Sequence, residues 1–264
     1  VGGYNNRITG CSAFIGGGNG NLGLAGQAVV VGGNSNYVCN TGYGGVIVGG
    51  SINSVSAYYG FIGGGKTNTN SGDYSSIVGG YQNCVSTQYS FIGTGYQNCI
   101  TSSSHYNVIL AGKRNKICGG QYGTISSGYQ SCVTKDGGTV MGGYVITVSG
   151  YYSAAVGYVN TITHDCSFIL GCGLSSSAGN QTKVNVLAKA SGTFEISHPD
   201  PAKNATKYLN HSFVESPTRG DNIYRYVVCA VGCAASLELP SYYKFLNEND
   251  QVWVTPKNHF GAGY

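Results

Sequence analysis

Residues 74–104 read YSSIVGGYQNCVSTQYSFIGTGYQNCITSSS, one motif written twice. An aromatic residue, two aliphatics, a glycine step and an asparagine return in the same order. The step recurs in VGGYNN at Val1, FIGGGNGN at Phe14, VVGGNSN at Val30, IVGGSIN at Ile47, FIGGGKTN at Phe61, IVGGYQN at Ile77 and FIGTGYQN at Phe91. It continues, more worn, in ILAGKRN at Ile109, ISSGYQS at Ile125, VMGGYVI at Val140, AVGYVN at Ala155 and ILGCGL at Ile169. About twelve copies, at intervals of roughly 14 to 18 residues, fill residues 1–174. Each copy is too small to bury its own apolar face, so copies must pack on copies.

Segments such as YSSIV and YSFIG are short, alternating and rich in β-branched and aromatic residues, while NCVST and NTITH supply a second short strand. Each unit therefore reads as two strands and two turns. Helix is disfavoured, because glycine costs about 1 kcal/mol relative to alanine at an interior position, and this chain has 44 glycines in 264 residues. The expected fold is all-β: a parallel β-solenoid or β-roll of about twelve short repeats over residues 1–174. A connector is expected over 175–190 and a small β domain over 191–264, with strands in NIYRYVVCAV, AASLELP and DQVWVTP. Coils about 4.8 Å apart would make a shaft roughly 55 to 60 Å long.

Three sets of positions stand out within the unit. The repeat-turn glycines Gly16, Gly32, Gly49, Gly63, Gly79, Gly93 and Gly142 are expected where the backbone takes positive φ or where coils approach closely. On that reading Gly79→Val strains one turn. The turn asparagines Asn53, Asn68, Asn83, Asn98 and Asn115 are placed to form a side-chain ladder. Cys84, Cys99 and Cys132 follow Asn83, Asn98 and Ser131, where another unit has Thr161, and are expected to stack as a column of half-buried free thiols. The ten cysteines contain no CxxC pair, which argues against zinc. Cys229 and Cys233 flank a turn at Gly232 and are the best placed local disulfide pair. Free thiols fit assembly in a reducing host cytosol better than export through an oxidising compartment.

The tandem YSxIVGGxxNxVS unit resembles the repeats of trimeric bacterial adhesin heads, the YadA-like left-handed β-roll, and of related shafts in phage and large-virus tail-fibre or spike proteins. The adhesin-head unit is shorter with an alanine-rich core, whereas this one is rich in Gly and Tyr, which makes fibre proteins the nearer relatives. The run HPDP…YLNHSFVESP, from His198 to Pro217, resembles a domain that follows such repeats in fibre and surface proteins of phages and large algal viruses. The resemblance implies a homotrimer of parallel rolls on a virion surface or other extracellular appendage. It also implies contact with other virion or appendage proteins and attachment to a host-surface glycan or receptor.

Composition narrows the function classes. Net charge is +4 and only 9% of residues are charged. The densest basic cluster, Lys113, Arg114 and Lys116, reads as a solvated loop, so no nucleic acid partner is expected. No apolar run approaches the roughly 18 to 20 residues of a membrane span. A polysaccharide depolymerase works with paired carboxylates, but residues 1–190 hold no glutamate and only Asp73, Asp136 and Asp165, each read as a solvated turn residue. A depolymerase with a site between chains is the alternative function, with a bacterial trimeric surface adhesin beside it. His211 and Glu215, with His198 and His259, fall in loop and strand, where a spacing of four does not align side chains; no catalytic, metal or cofactor residue is expected. GGGNGNLG at Gly16 lacks the βαβ setting of a dinucleotide loop. Ice binding by a flat solenoid needs regular threonine rows, and the threonines look scattered. About half of the tyrosines are expected in core or ladder positions and the rest on the surface, available to stack on sugar faces. Residues 1–10 already lie inside the repeat and HFGAGY ends abruptly, so the sequence is expected to be a piece of a longer chain.

Overall fold

The computed structural model describes residues 2–101, 105–186, 193–197, 208–212 and 236–239. The chain divides into two compact units, Val1–Leu187 and Ala188–Tyr264. In the first, the described residues form strands and turns and no helix. They wind as a parallel β-solenoid with two sheets. Sheet I has twelve strands, from Phe14–Ile15 to Thr182–Val184, and sheet II has eleven, from Arg7–Ile8 to Thr161–Ile162. Each coil gives one strand to each sheet.

The strands are mostly two residues long, because the glycine step cuts each one short. Register is nevertheless strict: Ser76 lies between Phe61 and Phe91 in sheet I, and Cys84 between Thr69 and Cys99 in sheet II. The second residue of each strand points inward. Ile47, Ile62, Ile77, Ile92 and Ile109 form one buried file, facing Val55, Val85, Ile100 and Ile117 from the other sheet. Burying an aliphatic side chain of this size contributes about 1.5–3 kcal/mol, so stability accrues coil by coil. Asn70 replaces an aliphatic in the sheet II file. Its amide donates to the Ser75 and Phe61 carbonyls at 2.9 and 3.3 Å and its Oδ1 accepts from the Ser75 hydroxyl, which leaves the buried group partnered.

Two turns close each coil. The Gly–Asn turn leaves sheet I, as in Gly79 to Asn83; the Tyr turn leaves sheet II, as in Ser86 to Ser90. Where equivalent asparagines are 17 rather than 15 residues apart, the extra residues lie in the Tyr turn, so the Gly–Asn turn keeps its geometry. The winding runs further than the repeat pattern: Thr182–Val184, within the expected connector, pairs with Phe168–Leu170 as another strand of sheet I.

In the second unit, Thr193–Ser197 and Tyr208–Ser212 pair as antiparallel strands, which agrees with a β module after the repeats. Residues 236–239, inside AASLELP, take no regular structure. The other strands expected there, and Cys229, Cys233, His198, Glu215 and His259, lie outside the described residues.

Candidate functional site: turn edges and outer faces of the solenoid

The Gly–Asn turn separates two kinds of glycine. Gly80 has φ 97°, and a Cβ there would collide with the Gly95 carbonyl of the next coil. Gly79 is different: a Cβ at Gly79, Gly32 or Gly49 would meet nothing within 4 Å. At Gly16, Gly63 and Gly93 it would meet the next coil's carbonyl, at Val31, Val78 and Leu110, and at Gly142 it would lie 3.1 Å from the Ser127 hydroxyl. The expectation that Gly79 itself is strained by a side chain is therefore corrected: the constraint falls one residue later. The chain's own copies carry Thr94, Ala111 and Ser127 at the Gly79 position, while the Gly80 position is glycine again at Gly95, Gly112 and Gly128.

The asparagines form the expected ladder. Asn83 Nδ2 donates to Gly79 O in its own coil and to Gly95 O in the next, both at 3.0 Å, and its Oδ1 accepts from Asn98 N at 2.9 Å. Asn53, Asn68, Asn98 and Asn115 repeat the pattern, all buried. The ladder weakens where the motif is worn: Ser131 accepts only from Ile146 N, at 3.4 Å, and Ile146 contributes no polar side chain. It resumes at Asn160, whose Oδ1 accepts from Leu174 N at 3.0 Å.

Tyrosines stack along both turn edges. In the Tyr turn, Tyr74 and Tyr89 are 5.4 Å apart at 6°, Tyr89 and Tyr106 5.1 Å at 9°, and Tyr106 and Tyr122 5.5 Å at 7°. Each has positive φ, between 52° and 63°, a conformation that costs a non-glycine residue about 1–3 kcal/mol; ring stacking offsets about 0.5–1.5 kcal/mol per pair. Within the stack each ring face is covered by the next ring. The edge presented to solvent is therefore a line of ring edges and phenol oxygens, and the expected stacking of these rings on sugar faces is restricted to the ends of the column. On the Gly–Asn edge, Lys113 Nζ sits 5.2 Å from the Tyr96 ring centroid and 5.7 Å from that of Tyr129, an ammonium between two aromatic rings. Arg114 Nε donates to Gln97 Oε1 at 3.1 Å, and Lys116 lies on sheet II. The three cations of the basic cluster occupy three separate files.

The outer faces of the sheets differ in chemistry. Sheet I presents Phe14, Val29, Val46, Phe61, Ser76, Phe91, Val108, Thr124, Thr139, Ala154 and Phe168 in one file, and in a second Val31, Val48, Val78, Leu110, Met141, Val156 and Leu170, interspersed with Gly16, Gly63, Gly93 and Ser126. From Phe14 to Leu170 neither file holds a charge, and Val31, Val48, Val78, Leu110, Met141 and Leu170 of the second are 43–50% exposed. Sheet II presents Ser54, Thr69, Cys84, Cys99, Lys116, Cys132, Thr147 and Thr161 in one file, with Ser56, Ser71, Ser86, Thr101, Cys118, Thr134, Ser149 and Thr163 beside it. Threonines and serines that look scattered along the chain thus fall into register, because equivalent positions are 14–17 residues apart in sequence: the second file is a hydroxyl row interrupted at Cys118, whereas the first carries hydroxyls only on either side of Cys84, Cys99, Lys116 and Cys132.

The thiols are half-buried, as expected, but their column is broken. Lys116 stands between Cys99 and Cys132, and the sulfur nearest Cys132 is that of Cys118, at 3.6 Å. The neighbouring Cys99 thiol lowers Cys84 to about 7, and Cys99 is in turn pushed up by Cys84 and by burial. Burial, then the neighbouring Cys118, raises Cys132 to about 12.

Catalytic arrangements are weak. Asp73, Asp136 and Asp165 each accept a hydrogen bond, at 2.9 Å, from a backbone N–H of the preceding coil, at Tyr58, Gln121 and Tyr151. Such equivalent bonding marks a repeated turn device. His164 Nδ1 lies 2.9 Å from Ser176 Oγ, but that oxygen already accepts from the Thr163 and His164 amides, which occupies the lone pairs a nucleophile needs. Among the described residues no group of three or more His, Cys, Asp or Glu side chains is placed to hold a metal, and no helix is long and apolar enough to cross a membrane. In comparisons with known proteins, no family model matches the chain and no curated protein matches it.

Proposed function

We propose that the chain is a non-catalytic structural component of a virus or phage fibre or spike, a homotrimer whose solenoids pack through sheet I and hold or form a host-attachment surface. The observation that carries this reading is the uncharged and mostly apolar outer face of sheet I, interrupted by Ser76, Thr124, Ser126 and Thr139. Twelve strands at about 4.8 Å make this strip some 50 Å long, on the order of 500 Å² in area, the size of the largest apolar patch on a typical monomer, which is often a functional surface. The number three comes from the resemblance of the repeats to trimeric rolls. With sheet I covered, the hydroxyl rows of sheet II and the phenol edges of the Tyr turns face outward, chemistry suited to hydrogen-bonding a surface glycan. Other virion or appendage proteins would join at the ends of the shaft.

The test is the native mass of the purified chain in solution. A mass near three times 27.4 kDa supports the fibre reading; a monomer at micromolar concentration overturns it. One observation favours a second reading. The Ser/Thr row of sheet II from Ser56 to Thr163, interrupted at Cys118, is regularly spaced, which suits adsorption to an ordered surface such as ice. Thermal hysteresis in a freezing solution of the chain would support that reading, and its absence would remove it.

A further inference from the structure

The hydroxyl-lined face of sheet II carries five cysteines that the attachment reading does not use, and the winding brings four of them together in pairs. Cys84 lies directly opposite Cys99 on neighbouring parallel strands. Cys118 Sγ is 3.6 Å from Cys132 Sγ, again across one coil boundary. All four are free thiols of intermediate exposure, open to a small reagent. Neighbouring strands lie about 4.8 Å apart, within the Cα separation that a disulfide spans, so bridging the in-register pair Cys84–Cys99 requires side-chain rotation alone. Cys118 stands diagonally from Cys132, whose register partner is Lys116, and a bridge there also draws the two backbones together by about 1 Å.

We propose that Cys84–Cys99 and Cys118–Cys132 are oxidation sites at which a small-molecule disulfide, of the oxidised glutathione class, converts stacked thiols into bridges between successive coils. The proposal rests on coil geometry and is independent of what the solenoid attaches to. One protein thiolate attacks a sulfur of the small disulfide, whose S–S bond breaks and releases one small thiolate, which takes up a proton. The neighbouring protein thiol loses its proton and attacks the protein sulfur of the mixed disulfide, and the second small thiol leaves. Two protein thiols are oxidised and one small disulfide is reduced to two thiols. Cys84, lowered to about 7 by its neighbour Cys99, supplies the attacking thiolate. Cys39 behaves differently, since its nearest side-chain partner is the Ser54 hydroxyl, at 3.9 Å; it can hold a mixed disulfide but has no thiol to resolve it. A chain assembled in a reducing compartment would thus be stapled on reaching an oxidising one.

Trypsin separates the pairs. Residues 67–113 contain Cys84 and Cys99 alone, and residues 117–135 contain Cys118 and Cys132 alone. The intact chain is incubated with oxidised glutathione, denatured, alkylated, digested and weighed. The expected result is that both fragments resist alkylation and each loses two hydrogens, about 2 Da per bridge, while residues 8–66, which hold Cys11 and Cys39, carry glutathione adducts. The melting temperature should rise by several degrees and fall back with dithiothreitol. Cys84→Ser should abolish only the first bridge, and it places a residue that the same file already carries at Ser54. Persistent glutathione adducts on all four cysteines, or full alkylation of both fragments, would overturn the proposal.

Discussion

Gly79 and Gly80 are adjacent and have opposite tolerances. A side chain at Gly80 must accept φ 97° and push against the Gly95 carbonyl, so Gly80→Val should cost about 3 kcal/mol or more. Gly79→Thr, which copies Thr94 of a neighbouring coil, should change stability by less than about 0.5 kcal/mol. Thermal melts of the two variants test the assignment: equal losses would mean that the strained position has been misplaced. Asn83 is the second sensitive residue. Asn83→Leu removes the side-chain partner of Gly79 O and of Asn98 N and one of two donors to Gly95 O, which keeps the Tyr81 N–H, and an unsatisfied buried group costs about 1–3 kcal/mol. A loss of about 3 kcal/mol is expected in denaturant unfolding, with the greatest rise in amide exchange at Asn98. Asn83→Asp should do comparable damage at neutral pH, where a carboxylate would face two carbonyl oxygens. Its folded-state pKa is then raised above the unfolded value of about 3.9, so the penalty is absent well below that pH and grows as pH rises through the folded pKa. A melting temperature for this variant that is flat from pH 3 to 7 would contradict the ladder geometry.

At the scale of one coil, the unit of stability is a repeat with its neighbour, as in other stacked-repeat proteins. Deleting residues 76–90 removes a single repeat of 15 residues and leaves Phe91 where Ser76 paired with Phe61. The shortened chain should fold with an unchanged strand signature and melt within a few degrees of the parent. Deleting only residues 84–90 should expose a core strand and lower the melting temperature far more; similar behaviour of the two deletions would refute the stacked-coil description. Much of this architecture was legible in the sequence, because a repeat of aliphatic, glycine and asparagine states the inward strand residue and the turn that follows it. Which glycine is constrained was not, since Gly79 and Gly80 look alike until the approach of the Gly95 carbonyl separates them. The rows of sheet II were hidden for a related reason: with strands of two residues, hydroxyls that touch in space never fall within one sequence window. The tyrosines divided between ladder and surface without any one being assigned; that Tyr74 and Tyr89 are both, each covering the other's ring face, depends on the positive φ they share.

For the solenoid as a whole, the question is what covers sheet I. Val78 and Met141 are 46% and 49% exposed on its outer face, on well-separated coils. In an isolated chain, Val78→Asp and Met141→Lys would each replace an exposed apolar side chain by a solvated one, an effect usually within about 0.5 kcal/mol. In an assembly packed through this face, each would place unpaired charges in a dry interface near the symmetry axis, where removing charge from water costs several kcal/mol per ion. The double variant should therefore fall to 27.4 kDa in native mass measurements while its circular dichroism keeps the strand signature. Ser86→Asp and Thr134→Lys make the same charge changes on sheet II and should leave the assembly intact. If the sheet II pair dissociates the oligomer and the sheet I pair does not, the chains associate through the hydroxyl rows. The attachment surface must then be sought on sheet I, where apolar side chains would favour a protein receptor over a glycan.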